Sequence, residues 1–263
     1  MVEAATGEIV ITSSAAGIFE SDFVRKVVRN FADPEVGVVT GEFRTNNPDM
    51  SKTSGSEGLY WRYEMFLRSL ESKLGLLAVT GGVCLGFRKE IYRKLSPSSD
   101  ADNMVPLWGL FLDKRVVFDP DAIVYDEGIE NPHQQIKNRT RQVTKSQRDT
   151  FRIPVLLNPF ANVRSSFSLW SHKIFRWWTP FFAIVAFIIN MLLLDKLIYQ
   201  AVFFLLILIV GISILLLFFP KLRETSRVAN GCASFLFINY AFFRGTLNVL
   251  FGKKIYSWET NVD

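Results

Sequence analysis

The stretch from Gly7 to Thr40, GEIVITSSAAGIFESDFVRKVVRNFADPEVGVVT, decides the fold class. Ile9 to Thr12 is a short apolar run after Gly7, the pattern of a strand buried in a parallel sheet. Ser21 or Asp22 is placed to cap a helix carrying Phe23, Val24, Val27, Val28 and Phe31 on one face. Asp33-Pro34 ends it, because the residue before a proline is pushed out of the helical region. Val36 to Thr40 then reads as a second strand. Strand, helix, strand at such short intervals predicts a layered α/β domain.

Outward from there the pattern continues. A polar loop runs from Thr45 to Ser56, and a helix is expected from Glu57 to about Leu74, marked by Tyr63, Phe66, Leu67, Leu70 and Leu74 at helical spacing. Thr80-Gly81-Gly82 is a tight turn. Asp102 to Leu112 reads as a helix, and Val116 to Phe118 and Ala122 to Tyr125 as strands. Asn131-Pro132 opens a basic helix with Lys137, Arg139, Arg141, Lys145 and Arg148. There is no internal repeat and no low-complexity tract.

Composition divides the chain in two. Its 263 residues include 24 Phe and 6 Trp, and a mean hydropathy of +0.19 is too apolar for an ordinary soluble domain. Charges are spread through the residues up to about Asn158, whereas the part beyond Trp177 reads as lipid-facing. One soluble domain plus a membrane domain is the expected count. A net charge of +5 beside bilayer-length segments points to lipid headgroups and phosphorylated substrates, and away from nucleic acid. Cys84 and Cys232 are too few and too far apart for a disulfide framework or a metal site, which places the soluble part in the cytosol. The start, Met1 to Glu8, lacks the basic stretch and apolar core of a signal peptide.

Pro180 to Leu194 and Leu197 to Phe219 are uncharged and joined by Asp195-Lys196 alone, so they form an expected transmembrane hairpin. Lys221, Arg223 and Arg227 follow it, and by the positive-inside rule they sit on the cytosolic side with the soluble domain. Gly231 to Phe251 is a further expected span, although it carries Asn239, Arg244 and Asn248, and crossing there would strand Lys253 and Lys254 outside. Ahead of the hairpin, Phe167, Trp170, Ile174 and Trp178 fall on one side of a helix that also carries Arg164, Lys173 and Arg176. Such a helix lies in the membrane surface or, alternatively, packs on the soluble domain. The divisions are therefore 1–160, an interfacial helix at 161–178, membrane helices in 179–252 and a tail at 253–263.

Several strings occur in a telling order: Gly7-Glu8-Ile9-Val10, Asp33-Pro34-Glu35-Val36-Gly37, Tyr60-Trp61-Arg62-Tyr63-Glu64, Glu71-Ser72, Thr80-Gly81-Gly82 with Phe87-Arg88-Lys89-Glu90, and Arg115 to Ala122. They continue through Leu157-Asn158-Pro159 and Ser171-His172-Lys173. The series resembles glycosyltransferase family 2, in its membrane-integrated branch related to cellulose and hyaluronan synthases, and covers nearly the whole chain. The resemblance implies an incomplete GT-A-like, Rossmann-like α/β sheet domain followed by an all-α transmembrane region. Its ligands would be a nucleotide-sugar, bound at the carboxyl ends of parallel strands, and a glycan acceptor.

Aligned on Val105-Pro106-Leu107, the family's acidic pair falls at Ala101-Asp102, which makes Asp102 the candidate general base and Asp100 a neighbour that raises its proton affinity. The alternative is that either Asp caps the next helix. Arg141 falls at the Arg of the family's Q-x-x-R-W motif, with Asn138 and Gln142 in place of Gln and Trp and with Arg139 between them. A guanidinium there would bind diphosphate; a headgroup-binding basic face is the alternative. The family also implies Mg2+ or Mn2+ on a D-x-D motif, but those positions hold Ser14 and Ala16, so the carboxylate ligands are not present. Strands that precede this point in the family, and that hold the nucleoside, have no counterpart here. The expectation is that the polypeptide alone does not turn over a nucleotide sugar, and is either a truncated product, a remnant, or one half of a split enzyme whose other chain supplies the donor side. His133 and His172 have no Cys or His partners at ligand spacing, and neither reads as a metal ligand or a catalytic group.

Overall fold

The computed structural model describes residues 2–45, 55–81, 84–126, 132–218, 227–253 and 255. Strands β1 (Ile9–Ser13), β2 (Ile18–Phe19), β3 (Val36–Thr45), β4 (Cys84–Arg88) and β5 (Arg115–Asp126) form one sheet in the order β1-β4-β3-β5-β2. β4 is antiparallel to both β1 and β3, β3 is parallel to β5, and β2 is antiparallel to β5. The sheet is therefore mixed. The reading of Ile9–Thr12 as a strand between parallel neighbours is corrected: its hydrogen-bonded partner is the antiparallel β4, which the sequence pass missed. β1 nevertheless runs in the same direction as β3 and β5, with β4 inserted between it and β3.

The pleat sorts the core. Val38 joins Leu85, Phe87, Val116 and Phe118 on one face of the sheet, while Val39 joins Phe23, Val27, Phe31 and Val124 on the other. Helix α1 (Phe23–Arg29) covers the second face, and helix α3 (Ala101–Phe111) covers the first through Val105. Only Phe23, Val27 and Phe31 of the expected α1 face are buried; Val24 and Val28 are exposed. The two strands expected at Val116–Phe118 and Ala122–Tyr125 are one strand with a bulge, since Gly41 pairs with Asp119 and the next residue, Glu42, pairs with Ile123. Gly41 has to be glycine there, because a Cβ would lie 2.2 Å from the carbonyl oxygen of Ala122.

Helix α2 (Gly55–Lys73) forms where expected but is turned over. Among its described side chains Glu64, Arg68, Glu71 and Ser72 are buried, whereas Tyr63, Phe66 and Leu70, with Leu74 just past its end, are exposed. Helix α4 (Pro132–Phe151) is the expected basic helix.

Beyond it, α5 (Val163–Ser168), a π-helical turn (Leu169–Ile174) and α6 (Phe175–Leu192) form one continuous rod, followed by α7 (Leu197–Phe218). Two helical segments, Val163–Leu192 and Leu197–Leu216, are long and apolar enough to cross a membrane. The rod does not present Phe167, Trp170, Ile174 and Trp178 on one side: Phe167 and Trp170 face outward, while Ile174 is buried. A π turn accounts for this, since its wider winding puts three consecutive residues, His172, Lys173 and Ile174, inside. The third expected span is helix α8 (Arg227–Leu250), which packs along α4 of the sheet domain as well as against α6 and α7. Lys221 and Arg223 lie outside the described residues.

Candidate functional site

The site grows from the first turn of α3. Asp100 stands at the N-cap position without a side-chain cap bond, and Asp102 is in the first turn. Pro106 lies four residues beyond Asp102 and has no N–H to give the Asp102 carbonyl. Thr80 fills that vacancy: its hydroxyl donates to the Asp102 carbonyl oxygen at 2.7 Å. Thr80 precedes β4, whose first residue Cys84 pairs with Ser13, the last residue of β1. The start of α3 is thus tied to the rim where β1 ends.

The buried face of α4 closes the site from the side. Lys145 Nζ lies 2.8 Å from Asp100 Oδ1, and Ser146 donates to Asn103 Oδ1 at 2.6 Å. Asp149, fully buried, accepts from Ser99 Oγ at 2.6 Å and from the Asp100 amide at 3.4 Å. Burial pulls the Arg141 guanidinium below its usual proton affinity, against the opposing fields of Asp100 and Asp102. Arg141, Asp100 and Asp102 therefore share one locale. Arg139 and Lys137 point outward from the same helix and Asn138 is half-buried, so the basic stretch is divided between two faces.

Burial is also the largest influence on Asp102, pushing its carboxyl up; Asp100 adds to the push, the Lys173 charge opposes it, and the balance is about 6. Lys173 reaches the site from the π turn and is itself buried, with its ammonium 6.0 Å from the centre of the Trp177 ring. The sequence reading has Lys173 on a helix at the membrane surface or packed on the soluble domain, and gives no role in the site to Lys173, Thr80 or Asp149.

Next to this cluster is a second one. His172 Nδ1 lies 2.7 Å from Glu71 Oε1 and its Nε2 lies 3.1 Å from Glu64 Oε1. Arg176 Nη1 is 3.0 Å from Glu64 Oε2, and Arg68 Nη2 is 3.3 Å from Glu64 Oε1. Burial would raise the Glu64 carboxyl, but the His172 hydrogen bond and the Arg176 and Arg68 charges outweigh it and hold it at about 2. His172, set aside on sequence grounds, is the centre of this network; the Ser171-His172-Lys173 string was the available signal. The side chain of His133 is outside the described residues.

A divalent ion does not fit the residues at the expected metal position. Ala16 offers no side-chain donor, Ser14 Oγ accepts from the Ala16 amide at 3.3 Å, and no group of three His, Cys, Asp or Glu is placed to hold a metal among the described residues. A cavity of about 420 Å³ lined by Arg93, Trp108, Phe111 and Arg152 borders this cluster, since Arg152 Nη1 lies 3.3 Å from Asp149 Oδ1.

No protein-family model and no curated protein matches the chain. Among solved structures it resembles a mannosyltransferase from Pyrobaculum calidifontis, in complex with GDP-Man and Mn2+, with 16% identity and a TM-score of 0.55. The match covers 96% of this chain and 65% of that one, so the chain spans a little under two thirds of its neighbour's length. The fold is glycosyltransferase-like, and the likeness extends through the apolar helices as well as the sheet.

Proposed function

We propose that the chain is the acceptor-side and membrane part of a family 2 glycosyltransferase with a GT-A-type sheet, in the branch related to cellulose and hyaluronan synthases. It would transfer a sugar from a nucleoside diphosphate donor to a growing polysaccharide or glycolipid. The observation that supports this reading is that the buried face of α4 carrying Arg141 also holds Asp100, through Lys145 at 2.8 Å, at the start of the helix that bears Asp102. The GDP-Man held by the structural neighbour supports the donor class. The two apolar helices, and the cations at Lys221, Arg223 and Arg227, support a multi-pass membrane protein with its sheet domain in the cytosol.

In this reading Asp102 is the general base. It takes the proton of an acceptor hydroxyl as that oxygen attacks the anomeric carbon and the nucleoside diphosphate departs. A carboxylate with a proton affinity near 6 is ionised at neutral pH yet basic enough for that task. Arg141 meets the charge that builds on the leaving diphosphate. Asp100, paired with Lys145, keeps the Asp102 carboxyl basic, and Asn138 and Arg139 are assigned to the outer part of the substrate path.

Ser14 and Ala16 favour a second reading, a non-catalytic subunit or remnant that needs another chain for donor binding. Proteoliposomes carrying the chain, offered radiolabelled GDP- and UDP-sugars with Mn2+ or Mg2+, separate the two. Transfer that Asp102→Asn lowers by roughly 10²-fold or more supports the first; transfer that survives this substitution removes Asp102 from the base role. Absence of both nucleotide binding and transfer in the unsubstituted chain supports the second.

A further inference from the structure

Helix α2 carries its ions inward and its apolar residues outward. Glu64, Arg68 and Glu71 are at most 8% exposed, while Tyr63 is 58%, Phe66 62%, Leu70 40% and Leu74 66% exposed. At about 100° per residue these four apolar side chains fall in a single stripe, turned about a third of a circle from the ionic face. An amphipathic helix ordinarily turns its apolar stripe to the core. Here the core side is occupied by a buried ionic network, which leaves the stripe as an exposed apolar patch of the kind that marks an interaction surface.

The ionic face also says where the helix sits. Through Glu64 it is bonded to Arg176 at 3.0 Å, and through Glu64 and Glu71 to His172. Both partners belong to the 30-residue apolar segment Val163–Leu192. On that same segment Phe167, Trp170 and Phe175 are exposed, an aromatic surface at the level where the rod leaves the sheet domain. Arg62 and Lys73 of α2 are exposed and flank the Phe66 margin of the stripe. Large apolar residues on one side with cations at the margin are the composition of a helix lying at the headgroup boundary.

We propose that the Tyr63–Phe66–Leu70–Leu74 stripe of α2 docks on the bilayer, as part of one lipid-facing surface with Phe167, Trp170 and Phe175. The docking rests on the membrane reading of the two apolar segments. It gives the buried ionic network a purpose: Glu64, Glu71, His172 and Arg176 lock an in-plane helix to the foot of a crossing one, and so fix the height of the Asp102 site above the lipid.

The test uses the full chain with Cys232→Ala, reconstituted in vesicles of phosphatidylcholine with a minority of phosphatidylglycerol. Single Phe66→Cys and Leu70→Cys variants carry an environment-sensitive nitrobenzoxadiazole label; Leu208→Cys in α7 is the lipid control and Asp113→Cys, at the exposed end of α3, the water control. Cys84 is buried and stays unlabelled under native conditions. Blue-shifted emission at positions 66 and 70, quenched by doxyl-labelled lipids to an extent comparable with position 208, supports the proposal. Water-like, unquenched emission overturns it. Blue-shifted but unquenched emission also overturns it, since the stripe is then covered by protein. Absence of quenching at position 208 identifies the membrane reading itself as the part that failed.

Discussion

The His172 ring bridges two carboxylates of α2, with Nδ1 2.7 Å from Glu71 Oε1 and Nε2 3.1 Å from Glu64 Oε1. A ring between two acceptors satisfies both only by donating from both nitrogens, as imidazolium. Glu64 in turn is shared with Arg68 and Arg176. Removing one partner of a buried ionic group leaves the others desolvated without compensation, at a cost of about 3–5 kcal/mol. Glu64→Ala is therefore expected to lower thermal stability in detergent by that order, and Glu71→Ala, which loses one bond, by less. Glu64→Ala within about 0.5 kcal/mol of the unsubstituted protein would show that the network is ornamental.

Two carboxylates pull the pH dependence of stability in opposite directions. Glu64 has its proton affinity lowered from 4.5 to about 2, so its contribution is complete above pH 4.5 and is lost as pH falls toward 2. Asp102 is raised from 3.8 to about 6, so the folded state holds the proton more tightly and stability declines as pH rises from about 4 to 6. Asp102→Asn abolishes that decline. At pH 7 it is expected to be more stable than the unsubstituted chain by about 2–3 kcal/mol, the equivalent of a two-unit shift. Denaturation midpoints at pH 4 and pH 7 check this; a variant that gains nothing between them sinks the assignment of a strained carboxyl. A site that costs stability in this way is the usual sign of function rather than packing.

Thr80 acts on Asp102 through the backbone carbonyl that Pro106 leaves without a helical donor. Thr80→Val removes the hydroxyl at nearly constant shape and is expected to cost about 1–2 kcal/mol. Its more specific effect is on Asp102, because the first turn of α3 loses its tether to the rim of β1. Carboxyl-labelled NMR of Asp102 reads the change as a displaced titration midpoint. Thr80→Ser restores both stability and midpoint; failure of that rescue would leave only a general packing role for the side chain.

Much of the architecture could be read from the chain, and the failures have physical reasons. Apolar runs located β1, β3, α1, α3 and the hairpin helices, because strand and helix periods are local properties. β4 escaped since CLGFR is short, and its insertion between β1 and β3 is a fact of topology that no local pattern carries. The orientation of α2 was not legible because the partners of its ionic face, His172 and Arg176, lie about a hundred residues further along the chain. The burial of Lys173 and His172 was not legible because a π turn breaks the 3.6-residue count that sets Phe167, Trp170, Ile174 and Trp178 on one side. Asp102 and Arg141 came from the motif order, whereas Thr80, Asp149 and Lys173 are supports brought to the site by folding.

The last expectation concerns how α8 is held. Gly245 of α8 meets α4 so closely that a Cβ would lie 2.7 Å from Val143 Cγ1 and 2.9 Å from Val143 Cβ. Small residues at such crossings let two backbones approach, and the approach permits the polar contacts that accompany it, among them Gln147 Nε2 to Thr246 Oγ1 at 2.6 Å and Asn248 Nδ2 to Thr144 Oγ1 at 3.3 Å. Gly245→Ala forces the helices apart and is expected to cost about 1–3 kcal/mol. Val143→Ala alone opens a small void and destabilises by itself, yet in combination it makes room for the new methyl. The double variant is therefore expected to be more stable than the sum of the two single changes predicts, a coupling readable from thermal melts in detergent. Additive losses would mean that the two residues do not share the crossing. Because the same buried face of α4 carries Arg141 and Lys145, the proposed diphosphate role of Arg141 predicts that any pyrophosphate binding by the chain weakens in the Gly245 variant, whereas a crossing that is merely structural leaves it unchanged.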